Sequence, residues 1–241
     1  MPDSEPRRPP CVLLGIPSFD LVHQPMMEDT VRLAVCSTVA GIFVDPKCAT
    51  GAYPETNRNN IVRSTLNHPF PVDAILWFDA DMRFPPDMLV RLWKHEKDIA
   101  GAIYRERQEP YCYLGKFLDD DDQHATEGGL HKMELLSGSM LLVKLDVYRK
   151  LPPPWYVDDG SWRDDYYFSR LARQAGYDLW CDMDLTKEIR HRGFQEIGWF
   201  QEGERIARRK EDSVRNILGN PSLVDRAGPD GRLFSAPERV A

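Results

Sequence analysis

The sequence predicts an α/β fold, a mainly parallel sheet with helices on its faces, folded as a single domain. Three observations predict it. Short apolar runs of strand length recur at 11–16, 41–44, 74–78 and 99–104. Segments with helical periodicity stand between them, and that alternation is the pattern of a parallel sheet. The third run, Ala74-Ile75-Leu76-Trp77-Phe78, passes directly into Asp79-Ala80-Asp81, so two carboxylates stand at the carboxyl end of a buried strand. With 241 residues, the chain can bury one substantial core.

The elements follow in order. Pro17-Ser18 closes the first strand. A helix is expected from Pro25 to about Val39, with Val31, Val35, Thr38 and Val39 on one face, the apolar stripe that such a helix turns to a core. Residues 41–44 make the second strand, ending at Asp45-Pro46. The next helix, near 56–66, carries Arg58, Asn59 and Asn60 in its first turn. Pro85-Pro86 opens a helix that runs through Trp93, and 99–104 is a short strand.

In the second half, the acidic run from 119 to 129 reads as a solvated loop. Leu135 to Val143 is apolar but broken by Ser137-Gly138-Ser139, which predicts one strand with a bulge or a close backbone approach. A short helix over 146–151 stops at Pro152-Pro153-Pro154. Tyr167, Phe168, Leu171, Ala172 and Ala175 predict a helix over 164–175 that Gly176 ends, and 177–181 returns as a strand. A charged helix is expected near 204–218. Residues 1–10 read as a disordered leader, 11–218 as the domain and 219–241 as a tail.

Composition narrows the function classes. A net charge of −7 disfavours a general nucleic-acid footprint. No stretch approaches the roughly 18–20 apolar residues that span a bilayer, so integral membrane association is not expected. The N-terminus has no apolar segment of the secretory kind. Cys11, Cys36, Cys48, Cys112 and Cys181 are odd in number and widely spaced, a pattern of reduced thiols that points to the cytoplasm.

Asp-x-Asp spacing proves little in an aspartate-rich chain. It occurs four times: Asp79/Asp81, Asp119/Asp121, Asp120/Asp122 and Asp182/Asp184. Only the first follows an uninterrupted hydrophobic strand and precedes a proline-started helix. Downstream, Asp164-Asp165 opens a helix, where a carboxylate accepts free amides and suits the dipole. His191 lies beyond a later strand, in Ile189-Arg190-His191-Arg192-Gly193.

In order, Arg58-Asn59-Asn60-Ile61-Val62, Trp77-Phe78-Asp79-Ala80-Asp81-Met82-Arg83-Phe84-Pro85-Pro86 and Asp98-Ile99-Ala100-Gly101-Ala102-Ile103-Tyr104 resemble the nucleotide-sugar half of a GT-A glycosyltransferase of the family-2 type. Gly138-Ser139-Met140-Leu141-Leu142-Val143, Asp164-Asp165-Tyr166-Tyr167-Phe168 and Ala175-Gly176-Tyr177 resemble its acceptor half. The halves would be 11–104 and 105–218, and the resemblance implies a Rossmann-like mixed sheet. It also implies transfer of a sugar from a nucleoside-diphosphate sugar, UDP-linked first and GDP-linked next. The acceptor would be a hydroxyl of a glycan, lipid-linked sugar, protein or modified nucleic acid.

Such a reaction builds negative charge on the leaving diphosphate, which a hard divalent cation neutralises. By resemblance, Asp81 ligates Mn²⁺ or Mg²⁺ directly, Asp79 binds the ribose or the metal through water, and His191 completes the set, favouring Mn²⁺. Pro17, Ser18, Asp45, Arg58 and Ala80 would meet the nucleotide sugar. Gly138, Ser139, Trp162 and Asp164 would meet the acceptor, with the aromatic stretch from Trp155-Tyr156 to Trp162 as a platform. Asp165 would be the general base of an inverting reaction.

Two other classes share parts of this pattern. A haloacid-dehalogenase-like phosphatase would use Asp79 as nucleophile, but its pair follows the first strand, with Thr or Val two residues on, where Arg83 stands here. A nucleotidyltransferase would carry a Gly-rich loop after the first strand, and Ile16-Pro17-Ser18-Phe19-Asp20 is none. A non-catalytic sugar-binding protein would keep the core without needing the metal.

Overall fold

The computed structural model describes residues 8–19, 22–107, 111–119, 127–160, 163–192 and 196–197. Trp162, the expected helix near 204–218, the tail and most of the acidic run fall outside them. Strands β1 (Cys11–Ser18), β2 (Phe43–Thr50) and β3 (Ala74–Trp77) alternate with helices α1 (Gln24–Val39) and α2 (Pro54–Leu66). Then come β4 (Met82–Arg83), α3 (Met88–Lys94), β5 (Ile99–Gly101), β6 (Gly115–Phe117), β7 (Leu130–Leu136) and β8 (Leu141–Lys144). Helices α4 (Leu145–Lys150) and α5 (Asp164–Gln174), strand β9 (Leu179–Asp182), α6 (Met183–Thr186), β10 (Arg190–Arg192) and β11 (Glu196–Ile197) complete the described chain.

The main sheet has eight strands in the order β2-β1-β3-β8-β5-β9-β7-β6, and β4, β10 and β11 form a small second sheet. β1 is parallel to β2 and β3, whereas β8 is wedged antiparallel between β3 and β5. Four of the seven neighbouring strand pairs are antiparallel, so the sheet is not mainly parallel as the strand–helix alternation suggested; the expectation of a Rossmann-like mixed sheet flanked by helices holds.

Strand alternation divides the core into two layers. Leu13, Ile75 and Trp77 pack with Ile61, Val62 and Phe168 beneath α2 and α5. Val12, Leu14, Ile16, Leu76 and Phe78 pack with Leu33, Met88, Leu89 and Leu92 on the other face. β3 is buried on both faces, which is why it reads as a continuous apolar run.

Three element expectations change. On α1 the valine stripe faces outward: Val31, Val35 and Val39 are 58%, 60% and 84% exposed. The inward face is Met26, Asp29, Thr30, Leu33 and Ser37. Thr30 Oγ1 donates to the Met26 carbonyl and Asp29 accepts from Arg83 Nε, while Ser37 Oγ is buried without a partner among the described residues, so apolar spacing misreads the face. The second strand continues through Asp45 and Pro46 to Thr50, an edge position where a proline costs no ladder bond. The 135–143 run is two strands, β7 and β8, joined by a buried turn in which Met140 takes φ +58°. The C-terminal stop of α5 is as expected: Gly176 has φ +89°, and Tyr177 N–H donates to the Ala172 carbonyl.

The close pairing of β1 with β3 depends on Gly15. A β-carbon there would lie 2.7 Å from Trp77 Cε3 and 3.0 Å from Ile75 Cγ2. Gly15→Ala is expected to lose about 1–3 kcal/mol of stability by overpacking, read from urea unfolding; no loss would contradict this packing.

Candidate functional site

The site is built on the carboxyl edge of the main sheet, where strand ends and helix starts converge. Beyond β3, the Asp79-Ala80-Asp81 loop is tied down at three backbone points. Asp79 N–H donates to Ser139 Oγ at 2.8 Å, His23 N–H to the Ala80 carbonyl at 3.2 Å, and Arg192 N–H to the Asp81 carbonyl at 3.0 Å. The loop is thus held by the β7–β8 turn, the approach to α1 and β10.

Arg58 comes from the first half of α2 and is buried. Its Nη2 donates to Asp79 Oδ1 at 2.9 Å and its Nη1 to Asp164 Oδ2 at 2.5 Å, joining the end of β3 to the first turn of α5. Its Nε is buried without a partner among the described residues. Below it lies an aromatic bed: Arg58 Cζ is 5.8 Å from the Tyr156 ring, and Trp77 Nε1 donates to Tyr148 Oη, which is 2.6 Å from Tyr156 Oη. Trp155 and Tyr156 are core residues, pinned by Asn59 Oδ1, which accepts both of their N–H groups. They form no acceptor platform.

The two carboxylates of the loop stand in opposite environments. Burial pushes the Asp79 carboxyl up; Arg58 opposes this, and Asp81, Asp164 and Asp165 reinforce it. Burial also acts against ionised Asp81, but the His191 ring and the Arg107 guanidinium outweigh it and hold Asp81 below the usual carboxylate range. Arg107 Nη1 is 2.9 Å from Asp81 Oδ2, and His191 Nε2 is 3.6 Å from the same oxygen.

His191 reaches this position because β10 pairs antiparallel with β4, setting His191 opposite Met82. Its Nδ1 lies 2.9 Å from the Arg105 carbonyl, which only accepts, so the proton sits on Nδ1. Protonated at both nitrogens, the ring forms an ion pair with Asp81; in the neutral ring, Nε2 turns a lone pair toward the same carboxylate oxygen. Two acceptors facing each other in this way suit a shared cation, and a ring nitrogen fixed by a backbone carbonyl is the usual second support of a metal-ligating histidine. Among the described residues, however, no group of three or more His, Cys, Asp or Glu converges on one point.

Asp165, in the first turn of α5, is 3% exposed. Gly138 N–H donates to its Oδ2 at 3.0 Å, and Tyr166 N–H to its Oδ1 at 2.9 Å. Burial raises the Asp165 carboxyl, with Arg163 opposing and Asp164 reinforcing. The phenol of Tyr104, past the end of β5, lies in the same field and is itself raised, by burial first and then by Asp79 and Asp165.

Several expected contacts are redirected. Gly138 and Ser139 are both buried, and their polar groups serve Asp165 and Asp79; they position carboxylates and do not present a surface to an acceptor. A β-carbon at Gly138 would meet Asp165 Cβ at 2.9 Å and Arg58 Nη2 at 3.1 Å, so the absent side chain makes room for the ion network. Asp164 is committed to Arg58. Asp45 pairs with Leu13 in mid-sheet and approaches His68 at 3.1 Å; five residues before the end of β2, it is about 17 Å short of the carboxyl edge. Pro17 and Ser18 do end β1 at that edge, and the Ser18 carbonyl accepts from Gly51 N–H and Asn57 Nδ2.

Sequence reasoning passed over Asn57, Arg107 and Arg163 and gave Tyr104 no site role. The signal for Tyr104 and Arg107 was available, because both follow the carboxyl end of a strand that shares a sheet with β3.

Comparison with known proteins bears on the fold. No family model matches the sequence, and no curated protein matches it. The crystal structure of A197 from STIV matches with a TM-score of 0.56 at 12% identity, over 83% of this chain and 99% of that one, which shows a shared fold. The crystal structure of GalNAc-T7 with UDP, GalNAc and Mn²⁺ is similar at a TM-score of 0.43 and 6% identity, over 87% of this chain and 47% of that one, too slight a likeness to bear on chemistry. No helix among the described residues is long and apolar enough to cross a membrane.

Removing Arg58 would leave two facing carboxylates without a counter-charge. Arg58→Met is expected to cost about 3–5 kcal/mol in chemical unfolding, and a loss below about 1 kcal/mol would contradict the bridging role.

Proposed function

We propose that the chain is a metal-dependent glycosyltransferase that moves a sugar from a nucleoside-diphosphate sugar to an acceptor hydroxyl with inversion. The observation that carries this reading is the facing of Asp81 and His191 Nε2 at the sheet's carboxyl edge, with Asp165 tied through Gly138 N–H to the same β7–β8 turn whose Ser139 holds Asp79. An oxygen and an imidazole nitrogen form a donor set that suits Mn²⁺ somewhat better than Mg²⁺. When bound, such a cation offsets the charge that develops on a leaving diphosphate.

The chain's own groups do the rest. Asp81 and His191 hold the cation, and Arg107, more than half exposed beside Asp81, is free to turn to diphosphate oxygens. Asp79 keeps Oδ1 on Arg58 and offers Oδ2 to the donor ribose. Pro17, Ser18 and Ala80 border the nucleotide, with UDP as the first candidate and GDP the second. Asp165 takes the proton of the attacking hydroxyl, its raised affinity for protons making it a stronger base than an exposed aspartate. Arg58 and Asp164 are positioning residues.

The expected result is a Mn²⁺-dependent thermal stabilisation by a nucleoside-diphosphate sugar, worth about 2.7 kcal/mol at a hundredfold excess over Kd. It should vanish in Asp81→Ala, and stabilisation that survives that change would remove Asp81 from the site. Asp165→Asn should keep donor binding and lose transfer by about 10²–10⁴-fold; unchanged transfer would exclude it as base. A base must be ionised, so transfer falls as pH drops through its pKa. With that pKa raised, the acid limb should lie above the ordinary carboxylate range, and a limb at or below it would contradict the assignment.

A further inference from the structure

Helix α1 carries an apolar stripe that the described residues leave open. Met27, Val31, Val35 and Val39 recur at every fourth position, one above the next on a single face, and all four are exposed. Single exposed apolar side chains are ordinary on a protein surface, but a continuous stripe roughly 18 Å long is not. The helix cannot turn this face inward, because Met26 and Leu33 on its other side are already packed in the core. Its exposed charges are Glu28 and Arg32, which lie 4.0 Å apart and offset each other, so the face is neutral as well as apolar.

A matching stripe lies further along the chain, in the stretch 204–218 where the sequence predicts a charged helix. On such a helix Ile206, Ala207, Val214, Ile217 and Leu218 fall within one third of the circumference, and from 206 to 218 they again span roughly 18 Å. Every acid and arginine of the stretch falls outside that third. Lys210 alone interrupts it, with a stem long enough to lie on apolar surface and keep its ammonium in water. The described chain leads toward α1. Strand β11 pairs with β10 and β10 with β4, and Arg83 of β4 donates to Asp29 of α1. Arg192 of β10 meets the start of the same helix, its Nη1 3.1 Å from His23 Nδ1. Two strand spacings, about 10 Å, separate β11 from β4, and residues 198–203 can reach about 20 Å.

We propose that residues 204–218 dock as an amphipathic helix on the outer face of α1, setting their apolar third on Met27, Val31, Val35 and Val39. Side chains four positions apart form a ridge of the kind that fits the groove of a neighbouring helix. A second copy of the chain would offer an equal stripe. A segment tethered by a short linker, however, acts at an effective concentration in the millimolar range, which a separate molecule at micromolar concentration does not match. Docking also holds β10, and with it His191, against the start of α1.

The test follows amide hydrogen exchange by mass spectrometry in the full chain at micromolar concentration, comparing wild type with Val31→Asp/Val35→Asp. Both valines are exposed, so the core should be untouched, and the amides of β1 and β3 report on it. In wild type, amides over 206–218 should exchange at least about tenfold more slowly than in a synthetic peptide of the same residues. The double variant should lose that protection while β1 and β3 keep theirs. Leu218→Asp, made in the segment itself, should do the same without altering α1. Exchange in wild type as fast as in the peptide, or protection that survives either variant, would overturn the docking. Protection that disappears on dilution of the wild type would give the stripe to a second copy and overturn it as well.

Discussion

The geometry of this site depends on one buried guanidinium. Arg58 bonds Asp79 with one nitrogen and Asp164 with another, so the end of β3 and the start of α5, 85 residues apart in sequence, keep a fixed separation. A lysine would supply the charge but not two bonds in a planar fork. The arrangement takes three charges from water, and such groups repay that cost only when the hydrogen bonding is good. Here it extends outward. Asp79 N–H reaches Ser139, Asp165 receives Gly138 N–H, and Gly138 lacks a side chain where Arg58 and Asp165 pass closest.

This scaffold gives chemically identical residues different properties. Asp79 and Asp81 are two positions apart, yet burial among carboxylates raises one, while a histidine and an arginine lower the other. Asp164 and Asp165 are adjacent, yet one is spent on Arg58 and the other is held by amides with its proton affinity raised. Separate tasks for like groups follow from their surroundings. The tightly supported loop also means that the geometry around Asp81 exists before any ligand arrives, which lowers the ordering cost of binding.

The sheet was legible because its central strands are buried on both faces and read as plain apolar runs, with Ala74–Trp77 the clearest. Asp79-Ala80-Asp81 was legible for the same reason: it is where such a run stops. The inward face of α1 was not, because Asp29 and Thr30 are buried with partners that lie four residues back or on another element. Nor was the division of 135–143 into β7 and β8, since apolar content does not say which neighbours a strand will choose. In the site, the residue types were readable and their pairings were not. Gly138, Ser139 and Asp164 belong to the cluster, but long-range contacts turn them inward to hold Arg58, Asp79 and Asp165. Asp45 failed because the strand does not end at Asp45-Pro46 but runs on to Thr50.

The central claim is that Asp81 and His191 share a cation. Pulsed electron paramagnetic resonance of the full chain with one equivalent of Mn²⁺ and UDP tests it directly, because a ligating imidazole couples its nitrogen to the metal's electron spin. The account predicts a single imidazole nitrogen coupling that disappears in His191→Ala. Bound Mn²⁺ with no nitrogen coupling, or a coupling that persists in that variant, would contradict it.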